Sequence, residues 1–82
     1  YAFYVIDTES RHAITGAMDF VAEDPGKVIM IDFKTDDAND AEIRKRYQTQ
    51  IDTYRRALEI LYPERIIETY GYSFHNEDFI AF

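Results

Sequence analysis

Between Ile14 and Thr35 the chain reads ITGAMDFVAEDPGKVIMIDFKT, two apolar-rich arms on either side of Asp24-Pro25-Gly26. A punctuation cluster of that kind stops one strand and starts another, so the stretch predicts a β-hairpin. Charges stand among its apolar residues away from the turn: Asp19 in the first arm, Asp32 and Lys34 in the second. Side chains alternate faces along a strand, and opposed residues share a face. With Asp19 opposite Asp32, one face holds Ile14, Gly16, Met18, Phe20, Ala22, Ile29, Ile31 and Phe33, all uncharged. The other face carries Thr15, Ala17, Asp19, Val21, Glu23, Val28, Met30, Asp32 and Lys34. A slip of one residue would mix charged and apolar side chains on both faces, which burial penalises. The hydrophobic pattern therefore places both aspartates and the lysine together. Opposed Cβ atoms stand roughly 5 Å apart, so the two carboxylates repel unless positive charge lies between them. A divalent cation on carboxylate oxygens, with the lysine nearby, resolves that conflict.

Eighty-two residues suffice for one small domain, residues 1–82, near the size where a single core is only marginally stabilising. The first residue is Tyr and a strand-like run begins at once, so the chain reads as a piece of a longer polypeptide. Without cysteine there are no disulfides, zinc ribbons or cysteine-ligated iron–sulfur clusters. No apolar run approaches membrane-spanning length and no signal peptide or lipidation site is visible; a cytoplasmic setting is the default. The net charge of −7 speaks against a general basic footprint for nucleic acid. Metal-dependent phosphodiester chemistry nevertheless needs acidic ligands at the site itself. The charges are also uneven: Asp36, Asp37, Asp40 and Glu42 crowd one loop, and Arg44, Lys45, Arg46, Arg55 and Arg56 the helix that follows.

Tyr1 to Asp7 reads as a strand, rich in aromatic and β-branched residues, and Thr8 to His12 as a polar connection. His12 and His75 take no role. Asp40 is the predicted N-cap of a helix from about Ala41 to Tyr62, ending before Pro63. Ile43, Tyr47, Gln50, Tyr54, Ala57, Leu58 and Leu61 fall on one stripe of it. Gln50 is the anomaly, an amide in the middle of the face turned to the sheet, with the Tyr54 hydroxyl one turn later on the same side. Arg44 with Arg55, and Lys45 with Arg56, give the helix basic flanks, equally suited to solvent and to phosphate. Ile66 to Phe74 is the last clear strand; strand, helix, strand favours a right-handed crossover, with this strand parallel to Val28–Phe33. Tyr70, Tyr72 and Phe74 alternate along it and read as core. Phe79 to Phe82 is either a short edge strand or a frayed end. The fold expected is α/β, a central mixed sheet in which a hairpin is followed by a β-α-β crossover.

Gly16-Ala17-Met18-Asp19, Asp32-Phe33-Lys34-Thr35 and Gln50-Ile51-Asp52-Thr53-Tyr54 resemble, in order, the GxxD, DxK and QxxxY motifs of the RecB-type nuclease domains of the PD-(D/E)xK superfamily. The surrounding pattern is most similar to the C-terminal nuclease domains of the AddA helicase–nuclease subunits, over nearly the whole of Tyr1 to Phe82. DxK alone is a weak signal; the ordered trio on strand, strand and helix is a fairly strong one. The resemblance implies a restriction-endonuclease-like core and metal-dependent hydrolysis of DNA in double-strand-break repair and recombination. It implies that Asp19, Asp32 and the Phe33 carbonyl bind Mg²⁺ or Mn²⁺, and that Lys34 orients or deprotonates the attacking water. Gln50 and Tyr54 would border the site. The implied partners are DNA, a helicase domain in the same polypeptide and a partner nuclease subunit, with no membrane. Such domains usually add a ligand from a helix upstream of the first strand; that helix is missing here, which would leave the metal site incomplete and one side of the sheet uncovered.

Taken singly, Asp19 reads as an edge-strand charge that discourages aggregation, Asp32 with Lys34 as an ion pair, and Gly16 as room for a neighbouring backbone. Two other functions stay open: a non-catalytic DNA- or subunit-binding module of the same fold, and an unrelated acidic α/β interaction domain. The second would leave Gln50 unexplained.

Overall fold

A computed structural model describes residues 1–82 as six strands and one helix in a mixed α/β arrangement. Strands β1 (Ala2–Asp7) and β2 (His12–Ala17) form an antiparallel ribbon, closed by a turn in which Arg11 takes a left-handed φ of 62°. Strands β3 (Phe20–Glu23), β4 (Lys27–Lys34), β5 (Ile66–Ser73) and β6 (Asp78–Ala81) form a four-stranded sheet in the order β3-β4-β5-β6. β4 and β5 are parallel and joined by helix α1 (Asp40–Leu61); the outer pairs are antiparallel.

The hairpin forms where the punctuation places it. Asp24 Oδ1 accepts from the Gly26 and Lys27 N–H groups at 2.7 and 2.8 Å, which stabilises the turn. Phe20 pairs with Ile31 and Val21 with Met30, the register in which Asp19 opposes Asp32. The first arm, however, is not one strand. Its front half pairs with β1, and Met18 exchanges main-chain hydrogen bonds with Tyr1 at 2.8 and 2.9 Å. The chain then bends at Met18–Asp19 before β3 begins. That bend shifts the alternation, so Met18, expected beside Phe20, is buried with Val5, Val28, Met30, Ile51, Ala57 and Leu58 in the core. Ile14 turns inward with it, while Thr15 and Ala17 face out.

The helix starts one residue earlier than expected. Asn39 is the N-cap: its Oδ1 accepts from Glu42 N–H at 2.9 Å and its Nδ2 reaches Glu42 Oε1, a variant of the capping box. The Asp40 carboxylate is instead held by Asn76 Nδ2 at 2.9 Å. The buried stripe is Ile43, Ile51, Ala57 and Leu58; Ile51 is absent from the predicted stripe, and Leu61 lies exposed beyond the sheet. Ile43, Ala38 and Ile80 make a second small core at the helix start. Three of the four flanking basic residues serve the fold, Arg44 by donating to the Ala81 carbonyl. Arg55 donates to the Ile67 and Phe82 carbonyls at 2.9 and 2.8 Å and to the Thr69 hydroxyl, and Arg56 pairs with Asp7 at 3.1 Å.

Tyr70, Tyr72 and Phe74 are not core. Their alternates, Thr69, Gly71 and Ser73, are buried on the opposite face, Thr69 against Arg55 of the helix and Gly71 against the Phe82 ring. The rings lie on the outer face, where Tyr72 packs edge-on against Phe74 and Phe79, and Phe74 against Phe33. Phe20, Phe33, Phe74 and Phe79 are all about half exposed on that face, which no element of this chain covers. The last segment is an edge strand paired with β5 rather than a frayed end.

Candidate active site

The face of the sheet beneath α1 is apolar at one end, Val28 and Met30, and charged at the other, Asp32 and Lys34, all four buried. The charges stand at the C-terminal end of β4, beside the bend that carries Asp19. Asp19 Oδ2 accepts from the Phe33 N–H at 2.8 Å, which fixes its carboxylate against β4. Asp19 and Asp32 are neighbours at the bend, and each carboxyl alters the other's affinity for protons. Burial, and then the neighbouring Asp19, push Asp32 above the ordinary carboxylate range, against the pull of Lys34. Asp19, hydrogen-bonded to Asp32 and to the Phe33 amide, is pushed below it. Neighbouring carboxyls in unequal surroundings, Asp32 buried and Asp19 exposed, are driven apart in their affinity for protons.

Lys34 Nζ lies 2.7 Å from Asp32 Oδ2, but off the axis of a hydrogen bond, so that buried oxygen has a charged neighbour and no donor. The ammonium donates instead to Gln50 Oε1 at 3.1 Å. Gln50 Nε2 faces the Tyr54 hydroxyl at 3.5 Å, so this amide orientation gives each end a complementary partner. Gln50 is itself exposed, at the margin of the helix face rather than in its middle, and from there it partners the buried lysine.

Gly16 also belongs to this cluster. A Cβ there would lie 3.2 Å from the Phe3 ring and 3.3 Å from the Tyr54 ring, so the absent side chain makes room for side chains, not for the backbone foreseen. Phe3 and Tyr54 meet edge to face with centroids 5.6 Å apart. The structure therefore brings Asp19, Asp32, Phe33, Lys34, Gln50 and Tyr54 together. It adds Tyr47, whose ring lies under Lys34, and Asp36, which holds the Tyr47 hydroxyl. The only sequence signal for Tyr47 is its place one turn before Gln50 on the same stripe; Asp36 is hidden in an acidic loop. His12 and His75 lie outside the site; His75 pairs with Asp37 at 2.8 Å.

As a ligand set, Asp19 and Asp32 offer two adjacent acidic side chains and an oxygen with no hydrogen-bond donor. No third His, Cys, Asp or Glu completes a cluster around them. That set suits Mg²⁺ or Mn²⁺, which commonly take one or two carboxylates and fill their remaining positions with water and phosphate oxygens.

Fold and site together define a mixed α/β domain with a paired-carboxylate and lysine centre between sheet and helix. No family model matches the chain. It is similar to segments of curated proteins named as ATP-dependent helicase/nuclease subunits of the AddA kind: 36% identical over 84 residues to that of Acetivibrio thermocellus, covering 94% of this chain. To that of Clostridium kluyveri it is 38% identical over 73 residues, 88% of this chain, and to that of Anoxybacillus flavithermus 36% over 66 residues, 74% of it. The chain spans 6–7% of the length of these relatives. The helix is not long and apolar enough to cross a membrane.

Proposed function

We propose that this chain is the core of a metal-dependent deoxyribonuclease that hydrolyses DNA phosphodiesters within a helicase–nuclease, of the PD-(D/E)xK type. The observation that carries the reading is the convergence of Asp19, Asp32 and Lys34 at the end of β4, with Lys34 held by Gln50. The names of the relatives support the setting: a polypeptide with an ATP-dependent helicase, acting with a second subunit. Work on chromosomal DNA would place it in the cytoplasm.

Asp19 and Asp32 would hold Mg²⁺ or Mn²⁺, and the orphaned Asp32 Oδ2 is the atom with most to gain from a cation. Phe33 gives its N–H to Asp19, and a strand residue directs its N–H and C=O to the same side. Its carbonyl therefore suits the role of a further ligand. When bound, the cation polarises a phosphoryl oxygen and lowers the pKa of a coordinated water. Lys34 supplies fixed positive charge beside the carboxylates, where negative charge grows on the phosphate in the transition state. Gln50 holds the ammonium in place without neutralising it, and Tyr54 holds Gln50. Burial of the Lys34 ammonium strengthens its field.

The test is Mg²⁺- or Mn²⁺-dependent cleavage of DNA by the parent polypeptide, wild type against Asp32→Ala and Lys34→Ala. Both variants are expected to lose cleavage by several orders of magnitude while retaining the fold. Undiminished cleavage in both would remove the assignment.

A further inference from the structure

One side chain at the lysine lies outside the three motif-like segments. The Tyr47 ring sits directly under Lys34, with Nζ 3.5 Å from the ring centroid. Its hydroxyl donates to Asp36, both of whose carboxylate oxygens are 2.9 Å away, and Arg46 holds the same carboxylate at 2.5 Å. Asp36 follows Lys34 by two residues, just past the end of β4. The ring is therefore pinned from its far edge by the same stretch of chain that delivers the lysine.

We infer that Tyr47 is a positioning residue for Lys34, its ring face serving as a floor that keeps the ammonium turned toward Asp19 and Asp32. The inference rests on the nuclease reading, which gives the lysine a task sensitive to placement. Lysine is a compact, strongly hydrated charge on a flexible four-carbon stem. Here it is almost wholly buried, 8% exposed, and its lost hydration must be made good on every side. Asp32 and Gln50 do so on two sides. On a third the negative face of the ring attracts the cation without taking a proton from it and without consuming a hydrogen-bond donor. A phenol that donates to a carboxylate carries extra electron density into its ring, which strengthens that attraction. An aliphatic side chain of the same size would present hydrocarbon to the charge, and the stem would swing away to find water.

Packing alone does not account for the arrangement. Tyr47 does bridge the two core clusters, but a filler needs no cation over its centroid and no acid at its hydroxyl.

The experiment is steady-state DNA cleavage by the parent polypeptide carrying Tyr47→Leu, Tyr47→Phe or Lys34→Ala. Tyr47→Leu is expected to lower kcat about thirtyfold, the size of a desolvated cation–π contact, with KM for DNA unchanged. Tyr47→Phe keeps the ring and should retain most of kcat. Wild-type kcat in Tyr47→Leu, or a loss in Tyr47→Phe as large as in Tyr47→Leu, overturns the inference while loss of cleavage in Lys34→Ala leaves the nuclease reading standing. Wild-type cleavage by Lys34→Ala overturns both. Should Tyr47→Leu fail to fold, Tyr47→Met fills a similar volume without a π face and reads the same contrast.

Discussion

Gly16 and Tyr54 are in contact across the interface between the first ribbon and the helix: a Cβ on the glycine would fall 3.3 Å from Tyr54 Cε1. The contact links two distant segments of the chain, because Tyr54 faces Gln50 and Gln50 holds Lys34. A methyl group in that space needs the Phe3 and Tyr54 rings to yield by a few tenths of an ångström; a branched side chain needs a larger displacement. Gly16→Ala should therefore be nearly neutral in stability, the crowding offset by the lower entropy cost of alanine in a strand. Gly16→Val is expected to displace Tyr54 and reduce DNA cleavage more than it lowers Tm. Full cleavage by Gly16→Val would show that the ribbon does not set the position of the glutamine.

Much of this was legible in the chain because charge and hydrophobicity must agree with the alternation of a strand. Asp19, Asp32 and Lys34 share a face when Asp19 opposes Asp32, whereas a slip of one residue would part them, and the register with Asp19 opposite Asp32 is the one found. Gln50 stood out because an amide on an apolar stripe demands a partner. The bend at Met18 was not legible: nothing in ITGAMDF marks a break, and it is set by pairing with Tyr1 in a strand already formed. The outward rings of Tyr70, Tyr72 and Phe74 were misread for a related reason. An aromatic alternation says that one face of β5 is apolar, but not which face the helix takes. Thr69, Gly71 and Ser73 decide it, since the parallel β4 neighbour already offers Val28 and Met30 on that side. Arg55 and Arg56 could have pointed to phosphate or to the protein; the choice depends on where carbonyls and Asp7 lie, which spacing alone does not reveal.

Asp7 gives the fold a measurable dependence on acid. Arg56 donates to both of its carboxylate oxygens at 3.1 Å, and the Glu9 N–H adds a third bond at 3.1 Å. Chiefly through Arg56, and against its burial, the carboxyl is held down at about 2, below the ordinary 3.8. A depressed carboxyl stabilises the fold above its unfolded value, and that contribution is lost as the pH falls through the folded one. The stabilisation from Asp7 is thus complete above about pH 4 and disappears between there and about pH 2. Urea denaturation of wild type and Asp7→Asn should show the variant less stable at pH 6, with the gap closing over that window. A gap that stays constant down to pH 2 would show that Asp7 does not titrate with the fold. The comparison must be a difference between the two proteins, because Asp24, Asp36 and Glu68 are also held low and contribute acid sensitivity to both.

Asp19 offers a test of the proposed metal site that cleavage does not confound. It is exposed, and its one main-chain hydrogen bond accepts the Phe33 N–H. Asparagine can accept the same bond through Oδ1, so Asp19→Asn should leave β4 and the bend undisturbed. What it removes is one negative charge from a pair of adjacent carboxyls. If a divalent cation relieves their repulsion, the loss of one acidic ligand lowers affinity, by about tenfold for each 1.4 kcal/mol of lost attraction. Mn²⁺ titration of the parent polypeptide, followed by calorimetry, is expected to show weaker binding in Asp19→Asn at an unchanged melting temperature of the metal-free protein. The same substitution should bring Asp32 back toward the ordinary carboxylate range, since one of the two influences raising it is the neighbouring charge. Equal Mn²⁺ affinity in the two proteins would mean that the carboxyls are brought together for the fold alone. The repulsion would then be met by Lys34 beside Asp32 and by the raised proton affinity of Asp32, with no ion required.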